Sequence, residues 1–178
     1  MAYEILVVCT GNICRSPMGE IILREEFARA GIDEHGLVSG AGNIRDAAGV
    51  REFAGSAAID GVRVRSAGVS DEEHGNGIDH RARKVLDEAG YRKGRVGVAH
   101  RVTAQELLGS DLILAMTASH RASLIRMAKQ VGADPSKIRM WRETDVPDPW
   151  YGDLSDFYDT LDVIQTGAKK LVDELMRS

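Results

Sequence analysis

Ile5-Leu6-Val7-Val8, running straight into Cys9-Thr10-Gly11-Asn12-Ile13-Cys14-Arg15-Ser16-Pro17, is the stretch whose reading decides the fold. The apolar run is too short for a helix and suits a strand buried on both faces. Cys9 to Ser16 reads as a loop. Pro17 fits the first turn of a helix, where its missing N–H costs nothing. The helical pattern continues to Ala30, with Ile21, Ile22, Phe27 and Ala28 sharing a face, and Gly31 ends it.

Outward from that unit the same alternation recurs. Val62 to Arg65 reads as a strand and Ser66 to Gly77 as a polar, Gly-rich loop. Asp79 to Ala89 is helical, with Asp79 as cap and Gly90 as stop. Thr103 to Leu108 is a short helix opening on a Thr-Ala-Gln-Glu capping box. Asp111 to Met116 is a strand, and Thr117 or Ser119 caps a helix reaching Val131. Asp134-Pro135 breaks the chain, Lys137 to Trp141 is a fourth strand, Glu143 to Gly152 a loop, and Ser155 to Met176 a long amphipathic helix. Such alternation predicts an α/β fold of three layers, a parallel sheet with helices on both faces. Residues 32 to 61 fit it poorly. They are rich in glycine and carry only a weak helical pattern through Ile44, Ala48, Phe53 and Ala57.

The 178 residues suit a single domain over 1–178 with one core. Apolar residues make up 43% and charged residues 28%, as expected of a water-soluble globular chain. A net charge of −4 argues against nucleic acid as the main partner, because binding it calls for a basic surface. No apolar run approaches the roughly 20 residues that span a bilayer. Met1 to Val8 lacks a basic segment before its apolar run, so it reads as a strand and not as a signal peptide. The two cysteines, Cys9 and Cys14, are too close and too few for a disulfide framework. A reducing compartment, the cytoplasm, is the expected location, with no membrane association.

A loop between a buried strand and a helix N-terminus aims backbone N–H groups at one point, and the helix dipole adds positive potential. A phosphate dianion is the natural occupant. Gly11 is expected to provide the tight turn, and the planar fork of Arg15 to hold two phosphate oxygens. The sulfur of Cys9, at the start of the loop, is expected to face the phosphorus. Electropositive surroundings of this kind favour a thiolate, ready for in-line displacement, and Ser16 is placed to donate a hydrogen bond to it. A lone cysteine ending a strand is more often simply buried. The five-residue spacing from Cys9 to Arg15-Ser16 reverses that judgement. A Walker-type loop is excluded, since no Gly-Lys-Ser/Thr follows. Cys9 and Cys14 also lie where a curved loop brings their sulfurs together, which suggests a reversible disulfide under mild oxidation.

A thiolate nucleophile needs a separate acid for its leaving group. Asp145, Asp148, Asp153, Asp156 and Asp159 crowd one region, mostly as surface or helix-start residues. Asp148 stands apart because Pro149 follows and fixes its loop. Trp141, Phe157 and Tyr158 read as packing residues. Trp150 and Tyr151, in a loop bounded by Pro149 and Gly152, are candidates to wall a slot for an aromatic ring. His35, His74, His80, His100 and His120 are scattered. His74 and His80 flank Asp79 without a third ligand cluster, so they read as loop or helix-start residues.

With both segments in view, the chain resembles the low-molecular-weight protein tyrosine phosphatases. Residues 9–17, CTGNICRSP, and 148–152, DPWYG, carry the resemblance. Ser66-Ala67-Gly68, residues 77–82 and residues 111–116 echo it, so that only 32 to 61 falls outside, as an atypical insertion. The resemblance implies a four-stranded parallel sheet, a phosphate-binding loop after the first strand, a phosphocysteine intermediate, and neither metal nor other cofactor. Carried onto this sequence, Cys9 is the nucleophile, Arg15 binds phosphate, and Asp148 is acid and then base. Thr10, Gly11, Asn12, Ile13, Cys14 and Ser16 form the binding loop, with Asn12 and Ser16 bracing it, and Trp150 and Tyr151 flank the substrate ring. The implied partners are tyrosine-phosphorylated proteins. Family members often carry a His and a short basic-polar run that supports the loop. His100-Arg101 is the counterpart here, cut short by Val102-Thr103.

Three rivals share parts of this pattern. Arsenate reductases of similar fold relay oxidation through cysteines beyond the loop, and none follows Cys14. Protein arginine phosphatases tend to carry Thr where Ile13 stands, and an apolar Ile suits a phenyl ring better than a guanidinium. A silent phosphopeptide-binding module has no need of a nucleophile and an acid. The phosphate loop, residues 67–78 and the Asp148 loop all follow strands, so they gather at one sheet edge. The 32–61 insertion is rooted at the opposite edge and is expected not to be an active-site lid. The oligomeric state is not legible in the sequence.

Overall fold

The structure, a computed structural model, describes residues 1–37, 61–91 and 94–177. In chain order these form β1 (Tyr3–Cys9), α1 (Arg15–Arg29), β2 (Ile32–Asp33), β3 (Gly36–Leu37), β4 (Val62–Gly68) and α2 (His80–Glu88). Then come α3 (Ala104–Gly109), β5 (Leu112–Ala115), α4 (Ala118–Val131), a 3-10 turn at Pro135–Lys137, β6 (Ile138–Met140) and α5 (Leu154–Arg177).

β1 is the central strand. β4 and β5 pair with it in parallel on its two sides and β6 joins β5, giving the order β4-β1-β5-β6. Side chains alternate across a strand, and both faces of β1 are covered. Ile5, Val7 and Cys9 face a core shared with Met18, Ile22, Leu86, Phe157 and Ile164 from α1, α2 and α5. Leu6 and Val8 face a second core with Leu107, Leu124 and Ala128 from α3 and α4. This is why the strand reads as an unbroken apolar run. Neighbours on opposite sides of β1 are reached by successive crossovers, so the chain direction splits at its carboxyl end. A crevice opens at such a point in an open α/β sheet. Register brings Cys9 beside Gly68, and Val8 beside Ala115, at that edge.

Three details differ from the sequence reading. α1 begins at Arg15, so Arg15 and Ser16 belong to its first turn and the loop is shorter than expected. Pro17 still costs nothing there, since the first turn's N–H groups have no intrahelical acceptor. Ser66-Ala67-Gly68 is not loop but the end of β4, held by pairing with Val7, Val8 and Cys9. No side chain is tolerated at its last residue: a Cβ on Gly68 would meet the Thr10 carbonyl oxygen at 2.5 Å. Finally, residues 32–37 form a small antiparallel ribbon, β2 with β3, that the glycine-rich composition concealed. The weak helical pattern from Ile44 to Ala57 lies outside the described residues.

The remaining elements follow their local signals. Asp79 caps α2, Thr103 and Glu106 close the capping box of α3, and Thr117, rather than Ser119, caps α4. Tyr3 donates its N–H to the Gly61 carbonyl, and Ile32 pairs with Leu37, so both flanks of the insertion sit at the edge away from Cys9. No described helix is long and apolar enough to cross a membrane.

Candidate active site

Cys9 ends β1 and is buried, with its sulfur 3.0 Å from the Ser16 hydroxyl. That hydroxyl has one proton, with two acceptors in reach, the sulfur and the Ala67 carbonyl at 3.2 Å. The Asn12 amide donates to the Ser16 oxygen at 2.9 Å, so the Ser16 proton is left to one of these two. Asn12 also donates to Ser66 at 3.0 Å and accepts the His100 N–H at 3.3 Å. Ser66 in turn donates to the buried Glu20 carboxylate at 2.5 Å. Burial pushes the Glu20 carboxyl up, against the opposing pull of Arg24 and Ser66. A continuous polar chain therefore runs from Cys9 through the sheet edge to α1.

Asn12, not Gly11, takes the left-handed conformation, with φ 60°. Asparagine visits this region more readily than other non-glycine residues. Gly11 serves a different need, because a Cβ there would press on the Glu73 side chain at 3.0 Å. Asn12 and Ser16 are buried and brace the loop from behind.

Arg15 is only 4% exposed, which demands partners for its charge. It donates to the Val146 carbonyl at 3.2 Å and to the Thr10 hydroxyl at 3.5 Å, and its Nη2 lies 3.1 Å from Asp148 Oδ2. The other Asp148 oxygen accepts the Trp150 N–H at 3.1 Å, a local turn that sets the carboxylate over the loop. One pocket is lined by Cys9, Thr10, Gly11, Ile13, Cys14 and Arg15 from the loop and by Asp148, Trp150 and Tyr151 from the other side. Trp150 is 39% and Tyr151 90% exposed, so they stand at its mouth. Arg81 holds this wall: it donates to the Trp150 and Gly152 carbonyls, lies over the Phe157 ring at 4.5 Å, and is bound by Asp79.

Cys14 is a poor second nucleophile. Burial, with Asp79 and Cys9 nearby, pushes its thiol far above the ordinary value. His100 supports the loop through its backbone, while its ring binds Glu106 at 2.7 Å. His80 is exposed at the start of α2 and His74 is exposed in the loop after β4.

Two pocket residues and one residue behind the pocket were not legible in advance. Glu72 and Glu73 line it from the loop after β4, where they read only as polar surface. His120 is buried beneath Thr10, with Nε2 2.8 Å from the Thr10 hydroxyl oxygen. A single histidine near a helix start gives no sequence signal for that contact. Burial and the charge of Arg15 lower His120 to about 4, although Asp148 and Asp145 pull the other way.

The sequence model described as low molecular weight phosphotyrosine protein phosphatase matches residues 4–54 and 48–178. The chain belongs to that family. It is 31% identical to low molecular weight protein-tyrosine phosphatase A of Mycobacterium tuberculosis, over 96% of this chain and 90% of that protein. It is 30% identical to the human low molecular weight phosphotyrosine protein phosphatase, over 86% of this chain and 84% of that one. A low molecular weight phosphotyrosine phosphatase of Vibrio cholerae superposes with a TM-score of 0.72 at 28% identity, over 97% of this chain and 96% of that one. The YwlE arginine phosphatase superposes equally well, with a TM-score of 0.72 at 26% identity, over 97% and 95% of the two chains. Family and fold together make the chain a cysteine-based phosphatase, with phosphoproteins as the family's substrates.

Proposed function

We propose that this chain is a protein-tyrosine-phosphate phosphatase, a single domain over 1–178 with residues 32–61 as an insertion. It acts in the cytoplasm on tyrosine-phosphorylated proteins and needs neither metal nor other cofactor. The observation that carries the reading is the pairing of apolar and charged walls in one pocket. Ile13, Trp150 and Tyr151 offer surface for a phenyl ring beside the Cys9 sulfur and the Arg15 guanidinium.

In this reading Arg15 and the loop N–H groups hold the phosphoryl oxygens. The Cys9 thiolate attacks phosphorus while the bond to the phenolic oxygen breaks, and Asp148 gives its proton to that oxygen. Water then attacks the phosphocysteine, Asp148 takes one of its protons, and the P–S bond breaks to return thiolate and inorganic phosphate. Asp148 is close enough to Arg15 to face whatever Arg15 holds.

One feature favours a second reading. Glu72 and Glu73 line the same pocket, and their carboxylates would attract the guanidinium of a phosphoarginine side chain. Arsenate reduction has no such support, since the chain has only two cysteines. Hydrolysis of a phosphotyrosine peptide and a phosphoarginine peptide, side by side with EDTA present and Cys9→Ser as control, separates the readings. Preference for phosphotyrosine with full activity in EDTA is expected. Preference for phosphoarginine would transfer the assignment to the second reading, and loss of activity in EDTA would contradict the metal-free mechanism.

A further inference from the structure

His120 takes no part in the steps above, yet it is 5% exposed and reaches the pocket through one residue. It lies in the first turn of α4, its N–H held by Thr117 at 3.1 Å. Its Nε2 is 2.8 Å from the Thr10 hydroxyl oxygen, and Arg15 Nη2 is 3.5 Å from the same oxygen. Among the described residues its Nδ1 is buried without a hydrogen-bond partner.

These contacts decide the tautomer and with it the direction of each bond. A guanidinium only donates, so Thr10 accepts from Arg15. A neutral imidazole carries one proton, and the nitrogen without a partner is the one better left bare. A buried N–H with no acceptor is rarer in proteins than an acceptor lone pair left unused. The proton then sits on Nε2 and is donated to Thr10. Protonation of both nitrogens is opposed by burial, by Arg15 and by the positive end of α4. With both lone pairs of Thr10 accepting, from His120 and Arg15, its own hydroxyl proton is left for the pocket that Thr10 lines.

We propose that His120 is a positioning residue that orients the Thr10 hydroxyl as a hydrogen-bond donor to an oxygen of the bound phosphoryl group. His120 moves no proton in the reaction. It fixes which way Thr10 points, and Thr10 adds a donor to those of Arg15 and the loop. The inference rests on the phosphate-pocket reading above.

The test uses the full chain, with aryl phosphate as substrate and inorganic phosphate as the competing ligand. A hydrogen bond to a charged group implies that Thr10→Val lowers kcat/KM and weakens phosphate inhibition by about tenfold to a hundredfold. Thr10→Ser, which keeps the hydroxyl, should remain within about threefold on that argument. His120→Phe should lose activity in the native background and lose nothing more in the Thr10→Val background, since the two act as one unit. Long-range proton–nitrogen NMR should show His120 protonated at Nε2 and bare at Nδ1. An equal loss from His120→Phe in both backgrounds would make His120 mere packing and overturn the proposal. So would a Thr10→Val variant equal to wild type, or a proton on Nδ1. If His120→Phe does not fold, the Thr10 pair and the spectrum decide. A wild-type chain that neither hydrolyses aryl phosphate nor binds inorganic phosphate would instead remove the pocket reading itself.

Discussion

Asp148 is tied through one oxygen to Arg15 and through the other to the backbone of Trp150. Replacing it with Asn keeps the shape of the side chain but removes the transferable proton, the later base and the negative charge beside Arg15. General acid catalysis is worth about 10²–10⁴-fold, so Asp148→Asn should lose that much on phosphotyrosine. It should lose far less on an ester whose leaving group needs no proton. Comparing kcat for the two esters checks this, and equal losses would remove Asp148 from the acid role. At this scale the sequence marked Cys9, Arg15 and Asp148 as candidates by residue type and spacing, and the structure brings all three to one pocket. The sequence was uninformative where function depends on tertiary approach alone. Nothing local marks His120 as lying under Thr10, or Glu73 as packing on Gly11. Nor does the sequence mark Asn12 as the left-handed residue of the loop, which its bonds to Ser16 and Ser66 hold in place.

The first turn of α2 acts as a clamp between two parts of the site. Asp79 accepts the Arg81 N–H as a cap and binds the Arg81 guanidinium, while its own N–H reaches the Ile13 carbonyl in the phosphate loop. Arg81 extends to Trp150 and Gly152 on the opposite wall. Burial alone would raise the Asp79 carboxyl, but hydrogen bonds from Arg81 and its charge prevail and hold it below the usual value. A carboxylate depressed in the folded state contributes stability above its unfolded value, and that contribution disappears as pH falls through the folded one. Asp79→Ala should therefore cost about 1 kcal/mol near neutrality, the usual worth of a cap. The gap in Tm between wild type and variant should narrow below about pH 4, the ordinary carboxylate range. Thermal melts across pH measure it, and a gap unchanged down to acid would show that charge plays no part. Caps and boxes of this kind were legible because they are local. The ribbon of β2 and β3 was not, because two-residue strands leave no periodic signal.

Over the whole molecule, alternating strand and helix patterns were enough to give a parallel sheet covered on both faces. The strand order β4-β1-β5-β6 was not legible, since it depends on which apolar faces meet. That order gathers the phosphate loop, the end of β4 and the Asp148 loop at one edge. The flanks of the insertion, Leu37 and Gly61, lie at the other. Replacing residues 38–60 with a short Gly-Ser linker should thus leave kcat/KM on small aryl phosphates within a few-fold. A loss near a hundredfold in a folded variant would show that the insertion contributes to the site. The central claim is that Cys9 carries the phosphoryl group between the two halves of the reaction, and rapid quenching of turnover followed by peptide mass spectrometry tests it most directly. One phosphoryl group is expected on the Cys9 peptide during turnover. Cys9→Ser should keep phosphate affinity while losing steady hydrolysis. Steady hydrolysis by Cys9→Ser, or turnover in wild type with Cys9 never modified, would contradict that claim.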